Sequence, residues 1–420
     1  MEKSKYIPNR LETTRLMGPM VDKHWAELRE AKEKGRKVAW SAGPGFLLPY
    51  AMGMKCHFMA GYAAYCGGRG ATEQVLEAAE DGGDLIDTCS YHKLHTGMFY
   101  AVENNIPIRE DVVLPIPDLM LSARLCSEQS HYGESLSQRF GVRVTGIDFP
   151  IPTKKEDLPE IEKFVIRQHK EILIPTLEDV CGKPFDYDEM RRILKMEKEA
   201  CLLRNECWEY LKKSPAMWTL WDYGVSIAPI FYMMGNPIGI DYYKKLLAEL
   251  KERDEKNIYA LGPDGEKFRI MWDGWLPWGF LGIFIRKFIP YGVVPICGRY
   301  PWEFFPHPEK IDPDADDIIE NWIKQWYSDE EIMWHNSPRG GTEFIGDLIE
   351  EYSIDGVIYY TSKTCRAFQA HLDIKNIIER KYGIPGVVID ADMIDKRMVS
   401  EKQVDTRLEA FIERMDALKR

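Results

Sequence analysis

The sequence predicts an α/β protein with two parallel-sheet domains facing a cleft, flanked by N-terminal and central helical segments. Two stretches and a composition predict it. The first stretch reads strand Leu119 to Ala123, Cys126, helix Ser127 to Phe140, Gly141, strand Val142 to Ile147, Asp148. The second reads strand Gly356 to Tyr360, Cys365, helix to Tyr382, Gly383, strand Pro385 to Ile389, Asp390. Strands alternating with single helices at this spacing are βαβ units, and βαβ units build parallel sheets. Both repeats put a cysteine at the carboxyl end of a strand, where open α/β sheets hold ligands. The chain has 420 residues, 45% of them hydrophobic. That is enough core for two or three domains and excludes disorder and collagen-like repeats.

In chain order, Asn9 to Arg36 carries Leu11, Leu16, Trp25, Leu28 and Ala31 at helical spacing among polar residues, with Gly35 as a C-cap. Lys37 to Trp40 is a short strand, and Ser41 to Gly45 is a turn. Phe46 to Met52 begins a helix. Gly53 to Gly70, rich in Gly, Ala and Tyr, favours neither period. Ala71 to Asp81 is helical. The first βαβ block follows. Pro159 to Val180 and Tyr187 to Lys212 are amphipathic helices, the second with Glu189, Arg191, Arg192, Glu197 and Glu199 as a solvated face. Ile240 to Arg253 is a third. Lys267 to Trp272 and Tyr291 to Cys297 are strands that open the second sheet. The implied division is residues 1–36 as a helical segment, 37–155 as the first α/β domain, 156–262 as a helical insert and 263–420 as the second α/β domain.

Lys and Arg number 55 against 67 Asp and Glu, a formal charge of −12. An acidic balance argues against a general nucleic-acid surface. Met1 to Leu16 has no apolar run of a secretory signal. No apolar run reaches the roughly 18 residues of a membrane span. The best candidate, Trp275 to Val294, is broken by Pro277, Arg286, Lys287 and Pro290, and reads as a buried or pocket-lining helix. Nine cysteines, an odd number over a long chain, do not read as a disulfide framework. Reduced thiols in the cytoplasm are expected, as core residues, metal ligands or both.

There is no Walker A sequence, no dinucleotide-binding glycine pattern in a strand-to-helix context, and no His-Glu-x-x-His. Cys181, Cys201 and Cys207 fall in predicted helices and read as buried small hydrophobes. Cys89, Cys126 and Cys365 each follow a predicted strand, beside turn-forming residues. Arg124, Lys363 and Arg366 favour thiolate over thiol at two of them. Thiolates suit iron–sulfur clusters, and three ligands on a four-iron cube leave one iron open. Zinc or plain core cysteines compete with that reading.

The chain resembles the 2-hydroxyacyl-CoA dehydratase and benzoyl-CoA reductase family. The resemblance rests on Val38-Ala-Trp40 with its Gly-Pro turn, Thr88-Cys-Ser-Tyr91 with Gly97, and Pro117-Asp118 leading to Cys126. It continues through Arg269-Ile-Met-Trp-Asp-Gly274, Thr364-Cys365, Ile389-Asp-Ala-Asp392, and Ser400 to Gln403 with Arg407. It implies two Rossmann- or flavodoxin-like domains, and a [4Fe–4S] cluster with one open iron on Cys89, Cys126 and Cys365. It also implies an acyl-CoA substrate, a related second subunit in a heterodimer, and a separate ATP-dependent iron–sulfur activator. The implied chemistry is one-electron reduction of the thioester to a ketyl, loss of the α-hydroxyl, loss of a β-proton that has become acidic, and return of the electron. One departure stands out. Many members carry a carboxylate in the segment corresponding to His57 to Tyr65, and this chain has none there. His92 and His95 are the nearest candidates for the proton-transfer role, or else hydrogen-bonding histidines. Cys56 and Cys66 supply extra ligands or fill space. Trp275 and Trp278 line an acyl pocket or belong to the core. Arg69, Lys93 and Arg339 are candidate contacts for CoA phosphates.

A 2-hydroxyacyl-CoA dehydratase subunit, a lyase, is the leading expectation. A benzoyl-CoA reductase subunit, an oxidoreductase, is the alternative, and an electron-transfer or cluster-scaffold protein is the third.

Overall fold

The computed structural model describes residues 7–41, 47–124, 126–300, 307–327, 337–365 and 371–419. The turn expected after Ser41, Phe46, Arg366 and the start of the helix after Cys365 lie outside them.

The amino-terminal half runs α1 (Thr14–Arg29), β1 (Val38–Ser41), α2 (Leu47–Ala51), β2 (Lys55–Phe58), α3 (Met59–Gly68), α4 (Glu73–Asp81), α5 (Ser90–Glu103), β3 (Leu119–Arg124), α6 (Ser127–Phe140) and β4 (Arg143–Asp148). The middle is helical: α7 (Leu158–Gln168), α8 (Ile174–Cys181), α9 (Tyr187–Glu209), α10 (Leu220–Ser226), α11 (Ala228–Tyr232) and α12 (Ile238–Lys256). The remainder is β5 (Phe268–Asp273), α13 (Leu281–Phe288), β6 (Val293–Cys297), α14 (Ile318–Tyr327), α15 (Pro338–Glu351), β7 (Gly356–Ser362), α16 (His371–Tyr382), β8 (Gly386–Ala391) and α17 (Glu401–Lys419).

The strands form two four-stranded parallel sheets, ordered β2-β1-β3-β4 and β6-β5-β7-β8. Each sheet takes its strands in the spatial order second, first, third, fourth, so the repeated grammar is also a repeated topology. Their central strands are buried on both faces: β1 and β5 throughout, β3 and β7 at all but one position each. Helices on both faces of a parallel sheet require this, which is why these segments read as continuous apolar runs. The edge strand β4 instead alternates buried and partly exposed positions. Pro295 sits in β6, also an edge, where a missing N–H is tolerated, and the register shifts there between Ile270 and Met271.

Four expectations need correction. The first helix stops at Arg29; turns carry the chain to Gly35, which adopts φ +70°. Gly53 to Gly70 is not irregular: it holds β2 and α3, whose buried Tyr62, Ala63 and Cys66 make a helix out of a segment with little polar contrast. Cys89 follows no strand. It caps α5 after a turn, because Leu85 and Ile86, 70% and 58% exposed, have no neighbouring strand to pair with. Glu197 is not on the solvated face of α9. It is buried beside Arg204, and Cys201 Sγ lies 3.8 Å from its Oε1.

Contacts between the two halves join α3 to α5 with the segment after β8. The Thr72 hydroxyl donates to the Ile394 carbonyl (3.2 Å), and within the second half Gly279 N–H fixes the neighbouring Met393 carbonyl (3.2 Å). Arg397 grips both oxygens of Glu80, at 3.0 and 2.6 Å. A Cβ on Gly67 would lie 2.8 Å from Ile394, so only a glycine lets α3 approach this closely.

Candidate active site

The site is built where β3, β7 and the start of α5 converge. Cys126 is the N-cap of α6, directly after β3, and Cys89 is the N-cap of α5. Cys365 follows β7 after a short turn. The repeated topology therefore places Cys126 and Cys365 at equivalent corners of two sheets, each beside its switch point. Cys89 is carried to them from a helix terminus. A hydrogen bond between the residues flanking two of the cysteines locks this meeting. Ser90 N–H donates to Thr364 Oγ1 at 3.2 Å, and Thr364 in turn donates to Asp392 Oδ2. Asp392 is fully buried. It also accepts from Ser362 Oγ (3.0 Å) and from the backbone of Ile394 and Asp395 (3.0 and 2.9 Å), so its carboxylate is saturated with donors.

Burial pushes the Cys89 thiol well up. Cys365 and Cys126 push it further, while the backbone amides of His92 and Tyr91 pull it back. Burial also raises Cys126, against the amides of Gln129 and Glu128. Of the basic residues expected to help, Arg124 is turned to Asp148 (3.2 Å) and Lys363 to the Met398 carbonyl (3.0 Å), and Arg366 lies outside the described residues; at Cys89 and Cys126 desolvation dominates. Trp275 Nε1–H donates to Cys365 Sγ at 3.2 Å. Among the described residues, no three His, Cys, Asp or Glu side chains converge as they would on a single metal ion. A four-iron cube differs, since each thiolate binds a different iron and the sulfurs stay apart.

The other six cysteines are elsewhere, and no two of the nine are joined in a disulfide. Cys56, Cys66, Cys201, Cys207 and Cys297 are buried, and the pKa of each is raised by burial. Cys181 is only half-buried, which corrects the expectation for that residue.

His92 is buried, with Nδ1 3.0 Å from Glu128 Oε2. His95 lies deeper. Its Nδ1 donates to the Tyr91 carbonyl (2.7 Å), and its Nε2 faces His57 Nε2 at 2.8 Å. Burial holds the pKa of His95 down at about 4, so both rings of this pair are neutral near pH 7. The segment lacking a carboxylate thus contributes a histidine, His57, that sequence reading did not single out. Its alternation within β2 is too short to reveal which face is buried.

An apolar cavity of about 270 Å³ lies on the Tyr300 side of Trp275, and among the described residues no cysteine lines it. Trp278 and Arg69 line it, together with Phe58, Phe231 and Tyr300. The Tyr300 ring lies 4.3 Å from that of Trp275, so one aromatic layer separates cavity from Cys365. Arg69 is partly exposed and paired with Asp22 (2.5 Å). Lys93 cannot reach a ligand: it is fully buried against Glu80 (2.9 Å) and the Ile86 carbonyl (2.7 Å). Arg339 is exposed in the first turn of α15, outside the lining. A larger, polar hollow of about 410 Å³ near His131 and Arg139 touches none of the candidate residues.

At the far edge of the site, buried Asp273 ends β5 and faces Arg299 (2.8 and 3.2 Å) and His371 (3.2 Å). Arg299 and the histidine hold its carboxyl below the usual range against burial. Among the described residues, no helix is long and apolar enough to cross a membrane.

Two parallel sheets of one topology, with thiols at matching corners, define a two-domain α/β protein. Residues 48–415 match the family described as 2-hydroxyglutaryl-CoA dehydratase, D-component, and the chain belongs to it. It is 25% identical over 405 residues to the alpha subunit of the lactoyl-CoA dehydratase of Anaerotignum propionicum, covering 93% of both chains. It is 26% identical over 396 residues to the (R)-phenyllactyl-CoA dehydratase alpha subunit of Clostridium sporogenes, covering 93% of this chain and 92% of that one. It is also 26% identical over 415 residues to one of the subunits of the benzoyl-CoA reductase of Thauera aromatica, covering 94% and 93%.

Proposed function

We propose that the chain is the iron–sulfur subunit of a 2-hydroxyacyl-CoA dehydratase, which eliminates water from a 2-hydroxyacyl-CoA to give an enoyl-CoA after one-electron activation. The observation that carries this is the mutual approach of Cys89, Cys126 and Cys365, with an apolar cavity one aromatic layer beyond Cys365. The donor set suits a [4Fe–4S] cluster with one open iron: three thiols, with the Trp275 N–H aimed at one sulfur and helix-terminal amides beside the other two. When bound, such a cluster supplies one-electron and Lewis-acid chemistry.

The chain's own residues would then do four things. Ser90, Thr364 and Asp392 hold the cysteine loops at fixed separation. Trp275, Tyr300 and Tyr91 keep water from the reacting end, as radical chemistry needs. His92, with Glu128 beside it, can hold or move a proton at its ring nitrogen. Arg69, on the exposed side of the cavity, would meet CoA phosphates only by turning its guanidinium away from Asp22 into solvent, outside the apolar lining. The full enzyme would include a related second subunit and a separate ATP-dependent iron–sulfur activator.

The match to a benzoyl-CoA reductase chain supports a second reading, aromatic-ring reduction. One assay separates the two. Anaerobic protein with partner and activator is given 2-hydroxyacyl-CoAs or benzoyl-CoA. Multiple dehydrations per electron supplied support the lyase. Stoichiometric electron use with the aromatic thioester supports the reductase. Inertness to every thioester overturns both and favours a cluster-scaffold role.

A further inference from the structure

Resting on the acyl-CoA reading, we infer that the cavity selects an uncharged, apolar acyl group, and that Gly18 and Gly68 set how large it can be. Two observations carry this. The first concerns charge. The lining is largely apolar, with Phe58 and Phe231 packed at 4.4 Å and Trp278 nearby. Both arginines of the lining already face carboxylates: Arg69 faces Asp22 at 2.5 Å, and Arg10 faces Asp222 at 3.9 Å. Asp222 is itself buried. An acyl chain ending in a second carboxylate would meet apolar rings and arginines already paired, and burying an uncompensated charge is strongly unfavourable. An alkyl or aryl end meets only matching surface.

The second observation concerns size. At about 270 Å³ the cavity falls just below the range typical of sites for whole drug-sized ligands, roughly 300–1,000 Å³. It accommodates an acyl group and leaves the nucleotide outside. Gly18, inside α1, and Gly68, at the end of α3, both line it. A Cβ at either position meets no atom within 4 Å, and neither has a positive φ. No packing contact requires glycine there. Both glycines are exposed, so a side chain at either would stand at the mouth of the cavity. Gly224, also in the lining, is different, because its Cβ would lie 2.4 Å from Leu276.

The test is binding, measured by calorimetry on the purified chain with stable saturated thioesters: hexanoyl-CoA, 3-phenylpropanoyl-CoA, glutaryl-CoA and acetyl-CoA. Hexanoyl-CoA and 3-phenylpropanoyl-CoA are expected to bind at least tenfold more tightly than glutaryl-CoA. Gly68→Val and Gly18→Leu should each lower the ratio of 3-phenylpropanoyl-CoA to acetyl-CoA affinity at least tenfold. Thermal melting of both variants checks that they are folded, and the milder Gly68→Ala and Gly18→Ala serve if either is not. Glutaryl-CoA binding as tightly as hexanoyl-CoA, or an unchanged ratio in folded variants, overturns the inference and leaves the acyl-CoA reading standing. Binding of no thioester overturns both.

Discussion

Ser90 and Thr364, 274 positions apart in sequence, meet at 3.2 Å, each next to a cysteine of the candidate site. The contact joins the start of α5 to the end of β7, and Asp392 anchors it from behind. Thr364→Val keeps the shape and removes the hydroxyl, leaving the Ser90 N–H and one Asp392 oxygen short of a partner. A loss of about 1–3 kcal/mol is expected in equilibrium denaturation. An unchanged midpoint would show that the contact does not hold the halves together.

The three gathered cysteines and the helical pair should separate in an iron assay. After anaerobic reconstitution, Cys89→Ala, Cys126→Ala and Cys365→Ala are expected to lose most bound iron. Cys201→Ala and Cys207→Ala should retain it, since both thiols are buried against Glu197 and the Tyr243 carbonyl. Full iron content in any of the first three would remove that cysteine from the ligand set.

Trp275→Phe keeps the aromatic contact with Tyr300 and deletes the N–H donor to Cys365 Sγ. Donors to ligating sulfur stabilise the more negative, reduced state of a cluster. The variant should bind iron and show a more negative reduction potential in an anaerobic redox titration. A potential shifted upward contradicts the role given to the indole.

Glu197 makes stability fall with rising pH. Burial lifts its pKa from 4.5 to about 8, against the pull of Arg204. Below about pH 4.5 both folded and unfolded forms hold the proton, and the penalty is absent. Between that point and about pH 8, unfolding releases a proton, so each step upward in pH favours the unfolded chain. Above about pH 8 the effect saturates. Glu197→Gln should flatten this part of the stability profile and stabilise the protein at pH 7 by on the order of 2–3 kcal/mol. Parallel profiles for the two proteins from about pH 5 to about pH 8 would disprove it.

Gly97 is where α4 and α5 touch backbone to backbone. A Cβ there would lie 1.9 Å from the Val75 carbonyl oxygen and 2.9 Å from Ala79 N. Gly97→Ala has no flexible neighbour to displace, so a loss of at least about 2 kcal/mol is expected by chemical denaturation. The control Gly141→Ala, at a helix end with open space, should lose less despite its φ of +64°.

The two βαβ blocks, the placement of Cys126 and Cys365 at strand ends, and the separation of helical from strand-end cysteines were legible in the residues alone. Strands buried on both faces must be apolar throughout, and the turns after them need particular residues. Periodicity also located α9 and α12 within a few positions. Packing settled what local pattern could not. Cys89 reached the site from a helix terminus rather than a strand, since no local pattern records which distant loops will pack together. His57 and His95 paired in the core, and Glu197 turned inward, because burial depends on what a face packs against as well as on its period. The cavity beside Trp275 and Tyr300 is lined from α1, α3, α10, α11 and the loop after β5. Its charge and size follow from pairings such as Arg69 with Asp22, and from two glycines with nothing beside them. Those are relations between segments far apart in the chain, set by packing rather than by any one of them.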